Sequence, residues 1–450
     1  MSFQHLNAYE GTLRPKIPPC DPDALAPPHD LLLDRFPEWT LAHWCIVIAA
    51  ISFVLLMLMP DGRLIDYDVP SGAETVLVAR SLASYGTFAN PFASLKTGLT
   101  AHVAPVYPFL YSLILRVFGT GHSALQFAWI CNISFFALQM GLMPLLSYRL
   151  DIGVMSGIVA ALLGTVSIYT PIDTRWECLL TGLFLVLAFL ATETTLRSQR
   201  VKASLGTGAL WGLLILTNPV VLLLLFAWPV YWIWELQEKI NKKVIKSLTI
   251  TAVTALLVVT PWIVRNYVRF GTFVFVRDCL GLQLQNGNND CATSTLQEMI
   301  QSGCHALSGA NLSAAIAANL ATAGEVQFNR VKLHEALHWM ASNPRRFAVL
   351  TLQRFRLFWF PDLDSFWQTA LVWAITLLSL IGLRLMFRNG LGASVIASTW
   401  LLFPLMYYIS PFEPRYRYPI LWTSLLPAGY ALVEISRLPF FHSSLRKSVR

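Results

Sequence analysis

The sequence predicts an all-α integral membrane protein of about ten transmembrane helices, and three observations predict it. Of the 450 residues, 55% are hydrophobic and only 13% charged, whereas soluble domains carry about 25% charged residues. The apolar residues gather into about ten runs near the roughly 20 residues that a helix needs to cross hydrocarbon. The short basic segments between runs all fall on one side if the count is ten. The same composition excludes a disordered chain, and seven Cys are too few for a dense disulfide framework.

The runs lie near Leu41–Met59, Ser123–Leu146, Ile152–Pro171, Leu179–Leu196, Ala203–Thr217, Pro219–Trp234, Leu248–Val264, Phe366–Leu383, Leu391–Ile409 and Ile420–Val433. The fifth and sixth are separated only by Asn218 and the turn-forming Pro219. Arg149, then Arg197, Arg200 and Lys202, then Lys239 to Lys246, Arg384 with Arg388, and the C-terminal Arg and Lys all follow even-numbered runs. That side is the cytoplasm. The net charge of +8 is thereby explained by topology, and a nucleic-acid partner is not expected. Residues 1–40, with Pro15, Pro18, Pro19, Pro22, Pro27 and Pro28, read as an irregular cytoplasmic tail. Residues 41–434 form the membrane domain, with large outer segments near 60–122 and 265–365, and 435–450 form a basic tail. The first run is too long and too far in to be a cleaved leader. Pro105–Phe118 is too short to span, and counting it would break the parity, so it is expected along the outer surface.

The spans carry almost no ionisable groups; Glu193 is expected at a cytoplasmic end, within reach of water. Ion-coupled transporters and flippases need charge at mid-membrane, so a carrier for a lipid or solute is the alternative reading rather than the first. Chemistry is expected outside. There the first loop opens with Asp61, Asp66, Tyr67, Asp68 and Glu74, a dense group of acids for so uncharged a chain. Such carboxylates suit a general base, or a pair holding a substrate or a divalent cation; the plain alternative is a polar loop leaving lipid. An interfacial helix over Thr75–Tyr85 should follow, capped by Gly86.

Here the chain resembles the C-type glycosyltransferase superfamily, within it the protein O-mannosyltransferase and aminoarabinose transferase branch. The resemblance is carried by the Asp66-Tyr67-Asp68 acids, then "LASYGTF" at 82–88, "PVYPFLYSLILRVFG" at 105–119 with Tyr107, and Asp173-Thr-Arg175-Trp-Glu177. It continues through "LLILTNP" at 213–219, "TPWIVRNYVRFG" at 260–271, "GLQLQNGNN" at 281–289 and "PFEPRYRYP" at 411–419. The pieces keep their order from about Leu41 to Val433. The resemblance implies transfer of a sugar from a polyprenyl-phosphate donor to a protein, glycolipid or polysaccharide acceptor at the outer face, by inverting displacement. It implies Asp66, Asp68 or Glu74 as the base, and a bacterial cytoplasmic membrane as the setting. Two features depart from it. The Lys that meets the donor phosphate in aminoarabinose transferases is missing, its place falling to His102, and the usual adjacent Asp-Glu pair is absent.

A leaving phosphate needs cations, for which Arg offers a matching fork. Arg415 and Arg417, with Tyr416 between them, stand on the outer side against the usual charge bias; the alternative is arginines reaching for the interface in an aromatic belt. Arg265, beside Asn266, is a further candidate, while Arg269 and Arg277 read as surface charges and Arg175 and Glu177 as a pair with each other. His334-Glu335-Ala336-Leu337-His338 matches a zinc-peptidase pattern. Its His lie on the polar flank of a helix whose apolar face is Val326, Leu333, Ala336, Leu337 and Met340, and no third ligand has a familiar spacing, so no metal site is expected. Cys291 and Cys304 are the best-placed pair for a disulfide on an oxidising face. Arg345, Arg346, Arg354 and Arg356, mixed with aromatics, predict an amphipathic helix near lipid headgroups.

Overall fold

In the computed structural model, residues 40–58, 73–168, 175–237, 240–390 and 392–437 are described. The expected tails, and the acids from Asp61 to Asp68, lie outside them. Each of the ten apolar runs carries a helix, and no strand is present among the described residues; two isolated bridges, Ala89 with Leu99 and Thr295 with Phe412, are the only extended pairings there. Four helices are long and apolar enough to cross a membrane by length and composition: His122–Arg149, Cys178–Ser198, Lys242–Phe270 and Phe366–Asn389. The other runs carry shorter helices. The turn at Asn218 is real, its side chain accepting a hydrogen bond from Val220 N at 3.2 Å. The ninth run breaks between Leu402 and Leu405, at Pro404, which has no N–H to continue the helix.

Helix crossings depend on small residues, as expected where lipid removes the hydrophobic gain of helix association. A Cβ on Gly208 would meet the Thr251 carbonyl oxygen at 2.5 Å, and one on Gly212 would meet Val258 Cβ at 2.6 Å. These two glycines, four apart, let Val201–Thr217 lie against Lys242–Phe270. The helix Leu421–Ser436 is buried on every side over most of its length, between Val154–Ser167 and Phe366–Asn389. Gly429 abuts the Ser156 carbonyl there, and Gly382 abuts that of Pro427. The core beside it is aromatic. Phe189 meets Trp228, Trp232 and Trp422 edge-on with centroids 5.0–5.4 Å apart, the arrangement that ring quadrupoles favour.

Several charges sit differently from the sequence reading. Glu193 does not reach water: it is 1% exposed and held by Arg149 and Arg197. Arg354 does not face lipid headgroups. It is fully buried, donating to the carbonyls of Gly287 at 2.5 Å and Thr293 at 3.0 Å. Helix Glu325–Ser342 turns Glu325, Phe328, Asn329 and Ala336 inward and leaves Leu337 exposed, so its inner face is half polar. The helix Glu74–Tyr85 forms as expected and ends at Gly86 with φ 67°. It packs on Val106–Phe118, whose exposed face is Phe109, Leu110, Leu113 and Val117. An apolar outward face suits a helix lying against lipid. Cys291 and Cys304 form a disulfide.

These crossings generate a stability test. Gly382→Val, forced against the Pro427 carbonyl, should cost about 1–3 kcal/mol, read as a lowered midpoint of thermal unfolding in detergent. Gly206→Ala, in a helix with no atom near the new methyl, should leave the midpoint unchanged or raise it, by up to about 1 kcal/mol of stability.

Candidate active site

Four segments without a common sequence neighbourhood meet on the expected outer side. The first is the start of helix Glu74–Tyr85. Glu74 stands in its first turn, where the helix dipole favours a carboxylate. Burial outweighs this and raises its pKa, against the opposing pull of Arg415 and Arg277 and with a smaller push from Glu413. The second segment is Arg175-Trp176-Glu177, leading into Cys178–Ser198. The third is the extended stretch 272–279, which presents Arg277. The fourth is the 3-10 turn Pro414–Ile420, which presents Arg415 and Tyr416.

Arg415 is held by its neighbours in a way that leaves a planar cation on the site. It pairs with Glu413 at 2.5 Å, both side chains about one-sixth exposed, and lies over the Trp176 ring at 4.1 Å. A guanidinium stacked on an indole keeps its charge at a smaller desolvation cost. Tyr416 stacks on Tyr407 with centroids 4.5 Å apart, and burial, then Glu413, pushes its hydroxyl well above the ordinary range. Arg277 is not a surface charge. It is half-buried, and its Nε donates to the His102 carbonyl at 3.2 Å. Burial opposes its charge, but Cys279 and Glu177 around it hold its pKa above the ordinary value. Arg269 is exposed, as expected.

The remaining expected residues are placed as follows. Asp66, Tyr67 and Asp68 lie outside the described residues. His102 is 1% exposed, and burial with nearby Arg277 pushes its imidazole down to about 3. It stands neutral, so the positive charge expected of it belongs to Arg277. Arg417 is 1% exposed and donates to the Trp359 carbonyl at 3.1 Å and the Thr376 hydroxyl at 2.7 Å. Arg265 donates to the carbonyls of Thr100 at 2.8 Å and Phe88 at 3.2 Å and sits over Trp262 at 4.7 Å. Both thereby tie together backbone segments far apart in the chain. Tyr107 is buried, its hydroxyl accepting from Asn132 Nδ2 at 2.8 Å. Glu177 lies in the field of Arg277, and Arg175 is half-buried beside it. Arg277 was findable in the sequence, since it breaks the positive-inside trend as Arg415 does; its isolation from any motif hid it.

The zinc pattern is solvated. His334 and His338 are exposed, and Glu335 pairs with Lys332 at 2.8 Å. Among the described residues no three His, Cys, Asp or Glu side chains are grouped to hold a metal, so no residue here is assigned to a divalent cation.

Comparison with solved structures follows from this geometry. The archaeal oligosaccharyltransferase AglB from Archaeoglobus fulgidus, in complex with an inhibitory peptide and a dolichol-phosphate, is similar over 92% of this chain and 52% of its own, with TM-score 0.54 and 14% identity. Its apo form gives the same coverage and identity with TM-score 0.50. The fold is the C-type glycosyltransferase fold. ArnT from Cupriavidus metallidurans, bound to undecaprenyl phosphate, matches 88% of this chain and 78% of its own at TM-score 0.37 and 12% identity. The chain spans about half the length of the oligosaccharyltransferases it matches. No family model and no curated protein sequence matches it.

On this C-type fold the position of Glu74 has a measurable consequence. A carboxyl with a raised folded pKa contributes stability that is complete below its ordinary 4.5 and lost as pH rises through the folded value. Glu74→Gln removes that loss. The unfolding midpoint of the variant relative to wild type should therefore climb between pH 4.5 and pH 8, and a difference independent of pH contradicts the burial of this carboxyl.

Proposed function

We propose that the chain transfers a sugar from a polyprenyl-phosphate-linked donor to an acceptor at the outer face of the membrane, by inverting direct displacement. The observation that carries this reading is the convergence of Arg415 and Arg277, from segments far apart in the chain, on the first-loop carboxylate Glu74. The fold supports it, and the dolichol-phosphate in AglB is a polyprenyl phosphate.

The chemistry follows from the arrangement. The donor's lipid stays in the bilayer while its phosphate meets Arg415 and Arg277, whose guanidinium groups match phosphate oxygens with charge-assisted bonds. A hydroxyl or amine of the acceptor attacks the anomeric carbon from the face opposite the phosphate. As the new bond forms and the glycosyl–phosphate bond breaks, a first-loop carboxylate takes the acceptor's proton and the lipid phosphate leaves with the electron pair. Asp66, Asp68 and Glu74 are the bases to test. Raising a carboxyl's pKa brings it closer to the operating pH and improves it as a base, which favours Glu74 among the three. Glu177, Tyr416 and Tyr107 shape the surroundings. The donor sugar to try first is a mannose-type hexose, and the setting is a bacterial cytoplasmic membrane. The acceptor is a protein, glycolipid or polysaccharide of the cell envelope.

Purified protein should release polyprenyl phosphate from a labelled polyprenyl-phosphate hexose when membrane extract supplies the acceptor. Arg415→Ala and Arg277→Ala should each lower release by about 100-fold, the loss typical of one preorganised charge-stabilising donor. Arg415→Lys should recover little, since an ammonium lacks the planar fork, and Arg269→Ala should leave release unchanged. One of Asp66→Asn, Asp68→Asn and Glu74→Gln should abolish it. No release and no donor binding across a panel of sugars overturns the transferase reading and returns the carrier to first place.

A further inference from the structure

The segment that meets Arg277 is itself pinned by a carboxylate from elsewhere. Glu325 is the first residue of the helix Glu325–Ser342 and is 6% exposed. Its two oxygens accept from Thr100 Oγ1 at 2.5 Å and from Ala101 N at 2.7 Å. These two residues and the adjoining His102 are tied from other directions. Arg265 donates to the Thr100 carbonyl at 2.8 Å, Asp278 N to the Ala101 carbonyl at 2.8 Å, and Arg277 to the His102 carbonyl at 3.2 Å. Asn329, one turn after Glu325, donates to the carbonyls of Asp278 at 3.0 Å and Glu325 at 3.2 Å. The first outer loop and two parts of the large outer loop, the 272–279 stretch and the start of helix Glu325–Ser342, therefore meet around one carboxyl group.

We propose that Glu325 is a positioning residue: by gripping Thr100 and Ala101 it fixes the His102 carbonyl, and with it the direction in which Arg277 is presented. The proposal rests on the transferase reading for what Arg277 binds, but the grip itself does not. Turning the turn over by one peptide would remove the acceptor from Arg277 Nε and leave a half-buried cation to seek another partner, a costly change. The charges facing Glu325 are Asp278 and Arg265, with Arg330 acting on Asp278 and a neutral His102 nearby. Burial raises the Glu325 carboxyl to about 7 and that of Asp278 to about 6. Burial thus favours the protonated acid although the Thr100 and Ala101 contacts favour the carboxylate, and the stability this carboxyl contributes to the closed form is complete at low pH and falls as pH rises through about 7.

Two variants and two readouts test this. Glu325→Ala loses both contacts, while Glu325→Gln keeps them, its amide donating to Thr100 and accepting from Ala101, without a titrating proton. Amide hydrogen exchange over residues 98–104 in lipid nanodiscs needs no substrate. Exchange there should accelerate roughly tenfold in Glu325→Ala, as expected for losing a buried pair of hydrogen bonds. Glu325→Gln should match wild type at pH 6 and exchange more slowly than wild type at pH 8. Equal protection in all three proteins, or the same pH response in wild type and Glu325→Gln, overturns the grip; if the Ala variant does not fold, the Gln comparison still decides. Polyprenyl phosphate binding should weaken roughly tenfold in Glu325→Ala and remain at the wild-type value in Glu325→Gln at pH 6. Loosened exchange with unchanged binding means a strap without a positioning role, and overturns the proposal. Wild type that binds no polyprenyl phosphate fails the transferase reading instead, and the grip is then judged on exchange alone.

Discussion

The outer half of this molecule depends on one constraint: a buried guanidinium must find acceptors for its N–H groups, and loops without strands have carbonyls to give. The half-buried Arg265 takes the carbonyls of Phe88 and Thr100 and the half-buried Arg277 that of His102, while the buried Arg354 takes those of Gly287 and Thr293 and the buried Arg417 that of Trp359. Each arginine joins stretches that are far apart in the chain. Together they do what a sheet ladder does elsewhere, with side chains replacing the second strand. This accounts for the many arginines in the long loops expected outside, in a chain whose other basic segments are expected on the cytoplasmic side. Arg415 differs from them in pairing with a carboxylate, that of Glu413, while lying over the Trp176 and Tyr416 rings.

How much of this was legible beforehand follows from the same physics. Apolar runs are imposed by hydrocarbon, so the helices could be read from the sequence to within a few residues, including the turn at Asn218 and the cap at Gly86 but not the break at Pro404. The disulfide followed from the compartment and a short separation. The roles of the arginines could not be read, because a strut and a phosphate ligand are the same residue type in the same outer loops. Arg417 and Arg265 read as ligands from their motifs, and their guanidinium groups also tie distant backbone segments together. Arg277, with no motif, reaches the site because Asp278 N and Asn329 hold its backbone against the first loop. Glu325 follows an alanine-rich helix with nothing in its neighbourhood to mark it, and its importance lies wholly in contacts more than 200 positions away.

The same division explains how the fold persists at 14% identity. A bundle in lipid asks for apolar length and for small residues where helices cross, and many sequences meet both demands. Gly208, Gly212, Gly382 and Gly429 satisfy it here by letting backbones touch. Such positions specify packing without naming a chemistry. Only the outer segments carry that information, and they are held by interactions whose residues can be exchanged or moved along the chain.

Under the transfer proposed above, charge balance in the site argues for where the proton goes. Arg415 and Arg277 face Glu74, with Glu413 paired to the first and Glu177 near the second. Carboxylates therefore already offset these two cations before any phosphate arrives. A departing lipid phosphate adds negative charge at the moment the acceptor gives up its proton. If Glu74 takes that proton, a carboxylate becomes neutral as the phosphate becomes more negative, and the two arginines are released to the leaving group. Burial has already made protonation of Glu74 the favoured direction. In the proposed transfer, proton transfer and phosphate departure are thus two halves of one redistribution that leaves the net charge of the site unchanged.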